Sequence, residues 1–474
     1  MKKLFIYLRE YKKECVFAPL FKMLEASFEL FVPLVVAAII DTGIAHADKG
    51  YVIRMCLLLF LLALIGLTCA VTAQYFSAKA AVGFATKLRH ALFSHLQGLS
   101  FSEVDTIGTS TMITRMTSDI NLLQNGVNMA LRLFLRSPFV VFGAMIMAFT
   151  IDFKAALSFV GAIILLSIVV FGIMYLNIPM MKSVQAKLDD VLLTARENLT
   201  GIRVIRAFCK EDEELARFRQ KNEELTRMQK KSGSISGLTN PLTYVIINLA
   251  IVALLRTGSI RVNAGALTQG ELIALYNYMS QILVELIKFA NLILNITKSA
   301  ACAGRISQVL ETGSSLQSGS KTAPEAAQGA ALTFENVSFR YPGAGADALR
   351  EISFSARPGE MIGVIGGTGA GKTSLANLIP RFYDVTGGAV LWNGADVRTL
   401  QLQSLRAQIG VVPQKALLFS GTIRENLRWG DPNAAEDTLW EALRAAQADG
   451  VVRDKPGELD AAGEPGGRNF SGGQ

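Results

Sequence analysis

Apolar residues gather into six runs, at roughly 16–40, 52–73, 137–151, 155–179, 240–256 and 272–296. A helix that crosses a bilayer needs about 20 apolar residues at roughly 1.5 Å of rise each, and the first, second, fourth and sixth runs reach that length alone. The third and fifth are shorter and count as spans because the topology needs them. Segments 42–51, 152–154 and 257–271 are short, whereas 74–136 and 180–239 are long, helical in pattern and rich in Lys and Arg. Basic connections stay on the cytoplasmic side. The pattern therefore predicts six spans with a cytoplasmic amino terminus, on helices that protrude far into the cytoplasm. Pro33, Pro138, Pro179 and Pro241 fall in or beside spans, where neighbouring helices can re-satisfy the freed backbone groups.

Residues 1–13 alternate basic and apolar positions, which predicts a short amphipathic helix on the cytoplasmic membrane face. No small-residue cleavage site follows the first apolar run, which Lys22, Glu25 and Glu29 interrupt, so this start is read as retained. Those three charges stand at i, i+3 and i+7 on one helix face. Charge at membrane depth is costly unless it faces a cavity or a partner. Two readings follow: Glu25 and Glu29 line a translocation pathway that favours cationic amphiphiles, or Lys22 pairs with Glu25 while Glu29 bonds another helix.

The composition agrees with a bilayer. Hydrophobic residues make up 51% and charged residues 18%, against about 25% charged in an average soluble domain. The net charge of +8 collects between apolar runs, as membrane topology requires, and not as a basic patch with stacking aromatics, so nucleic acid is not an expected partner. Five scattered cysteines with no CxxC spacing read as buried thiols and not as a metal site.

Around 312–330 the texture becomes Gly-, Ser- and Ala-rich, a linker between a membrane domain at 1–311 and a soluble α/β domain at 331–474. Ala331–Phe339 and Ile352–Ser355 alternate as strands, Met361–Ile365 reads as a short buried strand, and Val411–Gln414 reads as the end of another. The third of these runs into Gly366, Gly367, Thr368, Gly369, Ala370, Gly371, Lys372 and Thr373, a complete GxxxxGK[ST] phosphate loop, with Ser374 following in a predicted helix. Successive backbone N–H groups and a helix N-terminus surround phosphate oxygens in such a turn. The glycines let the backbone approach, Lys372 neutralises β and γ charge, and the Thr373 hydroxyl can hold Mg²⁺.

Further stretches follow in order: Phe339-Arg340-Tyr341-Pro342, Arg381-Phe382-Tyr383-Asp384, Gln414, Gly421-Thr422-Ile423-Arg424-Glu425-Asn426 and the final Ser471-Gly472-Gly473-Gln474. With these, Leu332–Gln474 resembles the nucleotide-binding domain of an ABC transporter. Residues 111–119 and 197–208 resemble the same family's exporter-type membrane domain. The fold that the resemblance implies is an all-α six-helix transmembrane domain followed by an α/β P-loop nucleotide-binding domain, incomplete at Gln474.

The resemblance also implies roles. Tyr341 would stack on the adenine of ATP, the loop 366–373 with Ser374 would hold the phosphates, and Thr373 with Gln414 would complete the Mg²⁺ shell. Gln414 is the one catalytic-loop residue in reach. Ser471, Gly472, Gly473 and Gln474 would close over ATP bound to a partner subunit. The ends near Phe101–Gly108 and Ala207–Glu214 resemble the coupling helices that dock on nucleotide-binding domains. Pro465 beside Glu464 departs from the family's wording ahead of the signature. The Walker B aspartate, the adjacent general base and the switch histidine would lie beyond Gln474, which implies that these 474 residues alone hydrolyse no ATP and fold less cooperatively after the linker. The wording of 466–474 most resembles one subunit of bacterial heterodimeric multidrug-type exporters, so the expected partner is a second half-transporter, with a homodimer as the other arrangement. The expected activity is ATP-driven export of small amphipathic drugs, lipids or peptides across the cytoplasmic membrane. The alternatives are an exporter-fold importer of metal chelates and a membrane-tethered ATP-sensing regulator.

Overall fold

A computed structural model describes the chain except residues 1, 326–329, 415–416, 465–466, 468 and 471–474. It divides into two compact units, Met1–Ser315 and Leu316–Gln474.

Among the described residues of the first unit, six helices are long and apolar enough to cross a membrane: Leu4–Ile44, Lys49–Gln97, Thr109–Ile151, Phe153–Thr200, Glu211–Asn263 and Gln269–Glu311, here called the first to sixth spans. Each has 41 to 53 residues, roughly 60–80 Å of helix against a hydrocarbon core of about 30 Å, so each extends well past the bilayer. Helices in lipid gain little from hiding apolar surface from one another and associate through close packing, which small residues permit. The buried faces follow that rule. Ala18, Ala26, Ala37, Ala73, Ala80, Ala144, Ala148, Ala155 and Ala274 are almost fully enclosed, whereas Leu57, Phe60, Leu64 and Phe142 stand exposed on the outside of the bundle. At Gly126 the approach is very close: an added Cβ would lie 2.1 Å from Ser299 Oγ on the sixth span.

The large core side chains Phe159, Leu166, Leu254, Leu275, Tyr278, Met279 and Ile282 fill the middle of the unit. Tyr278 donates its hydroxyl to the Leu30 carbonyl at 2.6 Å, tying the sixth span to the first. At the outer end Asp41 accepts from Thr268 Oγ1 at 2.6 Å and from the Gly270 amide at 2.8 Å, so the same two spans are joined there too. At the inner end the 3₁₀ stretch Lys2–Tyr11 inserts Leu4 among Phe84, Leu88, Leu92, Leu123 and Ile306, and leaves Phe5 and Ile6 outside.

Two short helices interrupt the cytoplasmic extensions. Phe101–Ile107 starts in a capping box made by Ser100 and Glu103. Glu103 also accepts from the Ser315 amide at 3.3 Å, and although burial opposes its charge, hydrogen bonds from Ser100 and Ser315 hold its carboxyl below the usual range. Ile202–Ala207 follows Gly201 and ends in a turn in which Cys209 takes a positive φ of 52°.

The second unit carries a four-stranded antiparallel sheet, in the order β2 (Leu349–Ala356), β1 (Leu332–Phe339), β3 (Gly387–Trp392), β4 (Ala395–Asp396). Phe334, Val337 and Phe339 of β1 form a core with Leu349, Val390, Leu405 and with Leu375 and Leu378 of the helix Lys372–Leu378. A smaller body follows, in which β5 (Gly421–Thr422) pairs with β6 (Ala462–Gly463) and Leu439, Leu443, Val452 and Leu459 form their own cluster.

Two strand expectations fail. Met361–Ile365 is not a buried strand: the segment is irregular, and Met361 and Ile365 are 96% and 98% exposed. Val411–Gln414 is likewise irregular, with Val412 97% exposed. A strand is held by its ladder, and an apolar stretch gains backbone hydrogen bonds only where another strand lies alongside. Among the described residues none pairs with either stretch, and the named sheets, β2-β1-β3-β4 and β5-β6, are antiparallel.

Candidate functional site

The phosphate-loop sequence folds as a turn feeding directly into the helix Lys372–Leu378. Gly369 and Gly371 take φ of 85° and 84°, a region that favours glycine. At Gly371 space also forbids a side chain, because a Cβ would meet the Ala348 carbonyl oxygen at 2.7 Å. At Gly367 and Gly369 a Cβ would meet nothing within 4 Å, so the space beside the loop is open there. Lys372 folds back onto the loop. Its Nζ donates to the Gly366 and Gly367 carbonyls, both at 2.7 Å. The ammonium thus rests on neutral oxygens of its own loop, from which an anion can draw it by a stronger, charge-assisted bond. A glycine turn at a helix start with one cation folded over it fits a phosphate chain. Thr373 lies exposed at the helix start, where its hydroxyl can reach a phosphate-bound cation.

Ser374 is buried, and its hydroxyl stands 3.0 Å from the Tyr341 hydroxyl. This bond joins the residue after the loop to the aromatic expected beside the base. Tyr341 is half-buried, edge-on to Phe339 at 4.7 Å and to Tyr383 at 5.3 Å. Tyr341 stands out in the sequence, whereas its support by Ser374 and Tyr383 shows only in the fold. Arg381, in the same Arg-Phe-Tyr-Asp stretch, is buried and grips Asp384 through Nε at 2.7 Å and Nη2 at 3.0 Å. Gln414 is exposed in its irregular segment. Ser471, Gly472, Gly473 and Gln474, with Pro465, lie outside the described residues.

In the membrane unit, Lys22 bonds Glu25 at 2.6 Å. Glu29 reaches another span: Arg136 Nη2 donates to it at 2.7 Å. Arg136 Nη1 donates at 2.7 Å to Glu285, which also accepts from Ser137 Oγ at 3.0 Å and from Lys288 Nζ at 2.8 Å. The first, third and sixth spans therefore share one charge network. Lys22, Glu25 and Glu29 stand out in the sequence; Arg136 and Glu285 are not among the residues expected from it. The signal was present, since Glu285 and Lys288 interrupt the sixth apolar run and Arg136 borders the third.

Six spans joined to a phosphate-loop domain define a membrane protein worked by a nucleotide-binding unit. Residues 15–286 match the family model of the ABC transporter transmembrane region, and residues 349–474 match that of the ABC transporter. The chain belongs to the ABC transporters, as an exporter-type half-transporter with several membrane passes and its nucleotide-binding domain in the cytoplasm. It is 34% identical over 474 residues to an uncharacterized ABC transporter ATP-binding protein of Mycobacterium tuberculosis, covering 99% of this chain and 81% of that one. An uncharacterized ABC transporter ATP-binding protein of Bacillus subtilis is 33% identical over 475 residues, 100% of this chain and 82% of the relative. An ATP-dependent lipid A-core flippase of Syntrophus aciditrophicus is 29% identical over 391 residues, 82% of this chain and 64% of the flippase.

Proposed function

We propose that this half-transporter exports amphipathic molecules, drugs, lipids or peptides, across the cytoplasmic membrane at the expense of ATP, paired with a second and different half-transporter. The observation that carries the reading is the open phosphate loop closed by Lys372, on the same chain as six spans whose interior holds charge. In this reading Gly366, Gly367, Thr368, Gly369, Ala370, Gly371, Lys372, Thr373 and Ser374 hold the ATP phosphates. Tyr341 lies against adenine, and Thr373 and Gln414 hold Mg²⁺. Bound Mg²⁺ supplies neutralisation of the charge that builds on the transferring phosphoryl group. Ser471, Gly472, Gly473 and Gln474 reach across to the ATP of the partner subunit. Closure of the two nucleotide-binding domains turns the spans outward, and hydrolysis resets them.

Purified full-length protein with its partner should show ATPase activity that amphiphiles stimulate. Stimulation by none of a panel of drugs, lipids and peptides would contradict the reading. Tyr341→Ala should raise the half-saturating ATP concentration about tenfold, the loss of one stacking contact of ~1–2 kcal/mol, and Tyr341→Phe should restore most of it. An unchanged value in Tyr341→Ala would remove Tyr341 from the base site.

The same reading takes Glu25 and Glu29 as part of the translocation path. Cysteines placed at 25 and 29 should then react with a water-soluble thiol reagent in at least one nucleotide state. Complete protection in every state would remove both from the path.

A further inference from the structure

The Arg136 network holds more hydrogen-bonding capacity than its partners use. Arg136 is 8% exposed, and its Nε is buried with no hydrogen-bond partner among the described residues. Nε and Nη2 lie on one edge of the guanidinium, the edge that binds two oxygens of a carboxylate or phosphate side by side. Here that edge is half used. Nη2 bonds Glu29, Nε bonds nothing, and Nη1 on the other side holds Glu285.

The two carboxylates differ in how firmly they are kept. Glu285 is buried and takes hydrogen bonds from Arg136, Ser137 and Lys288. Glu29 is held by Arg136 alone among the described residues, and its side chain is 44% exposed. Glu29 can therefore leave Arg136 while Glu285 stays in place. Counting about 20 residues inward from Ile44, Ile151 and Gln269 puts Glu29, Arg136 and Glu285 inside the apolar slab, on its cytoplasmic side.

Charge balance then selects the ligand. Arg136 and Lys288 are offset by Glu29 and Glu285, so the network is neutral as it stands. A bare cation bound to Glu29 would leave an excess positive charge at membrane depth, and a bare anion bound to Arg136 an excess negative one, both costly. A zwitterion leaves the sum unchanged. Its ammonium takes Glu29, and its oxyanion takes the Nε–Nη2 edge of Arg136.

We propose that Glu29 and Arg136 form a headgroup site for zwitterionic amphiphiles, molecules that carry an ammonium beside a phosphate or carboxylate. The proposal rests on the exporter reading and names the substrate class of that path. It places Glu29 in the site by exchange of partners and leaves Glu25, already matched by Lys22, outside it.

The test uses the full-length transporter with its partner half in proteoliposomes and reads the concentration of each amphiphile that half-maximally stimulates ATPase. The probes are phosphatidylethanolamine and Nε-lauroyl-lysine as zwitterions with phosphate and carboxylate, phosphatidylglycerol as an anion, and tetraphenylphosphonium as a cation. At least one zwitterion should act at a concentration about tenfold or more below both singly charged probes, the order of one charge-assisted bond. Comparing the two zwitterions then identifies which oxyanion the site takes. Glu29→Gln should abolish the preference over phosphatidylglycerol, and Arg136→Lys, which keeps the charge but not the paired edge, the preference over tetraphenylphosphonium. If Arg136→Lys does not assemble, Glu29→Gln carries the test alone. Equal action of zwitterions and singly charged probes, or a preference that survives Glu29→Gln, overturns the site and leaves the exporter reading standing. No response to any amphiphile overturns both.

Discussion

Lys372→Ala in the full-length transporter should weaken ATP binding by roughly 10- to 100-fold, the range expected for losing a hydrogen bond of about 1.5–3 kcal/mol to a charged group. Lys372 is the one cation in the loop 366–373, and its ammonium already rests on the Gly366 and Gly367 carbonyls of that loop. Alanine leaves the glycine turn intact, because neither Gly371 against Ala348 nor the core contacts of Leu375 and Leu378 involve the lysine head. The expected variant therefore folds and fails to bind. Lys321→Ala is the matched control, since Lys321 is exposed and contributes backbone groups to its pairing with Thr399 and Gln401. Equilibrium binding of a fluorescent ATP analogue checks both. Equal affinity in the two variants would end the assignment of the loop.

Glu285→Ala should destabilise the membrane domain by about 3–5 kcal/mol, the usual consequence of removing one partner from a buried ion pair. The substitution strands Arg136 with its exposed-side partner Glu29 alone, and leaves Ser137 and Lys288 without their acceptor. Arg136→Leu combined with Glu285→Leu should recover part of the loss, because it removes both buried charges and leaves only charges that are more exposed, Glu29 and Lys288, without their partners. Glu213→Gln, in an ion pair with Lys210 whose two side chains are both exposed, should leave the unfolding temperature unchanged. Thermal unfolding of the detergent-purified protein distinguishes these cases. Glu285→Ala as stable as Glu213→Gln would mean that the network does not hold the spans together.

The six spans were legible because a bilayer imposes a length, and runs such as 52–73 and 155–179 meet it without help from their neighbours. The loop at 366–373 was legible for a similar reason: glycine spacing and one lysine encode its geometry locally. Met361–Ile365 was misread because burial of a strand depends on a second strand, and apolar composition says nothing of whether one lies alongside. The charge network was half legible. Lys22 and Glu25 are three residues apart and announce their pairing on one helix face, whereas Arg136 lies 107 residues from Glu29 and 149 from Glu285, so only packing of the first, third and sixth spans reveals that link. Tyr341 and Ser374 illustrate the same limit at the nucleotide site, being 33 residues apart in sequence and 3.0 Å apart in space.

An exporter of this kind moves an amphiphile outward, driven by ATP. The most direct measurement of that movement is uptake of a fluorescent amphiphile into inside-out vesicles containing the full-length transporter with its partner, compared with right-side-out vesicles and with Lys372→Ala. Inside-out vesicles should show ATP-dependent accumulation that Lys372→Ala removes, and right-side-out vesicles none. Accumulation that needs no ATP, or ATP-driven loss from inside-out vesicles, would contradict ATP-driven export.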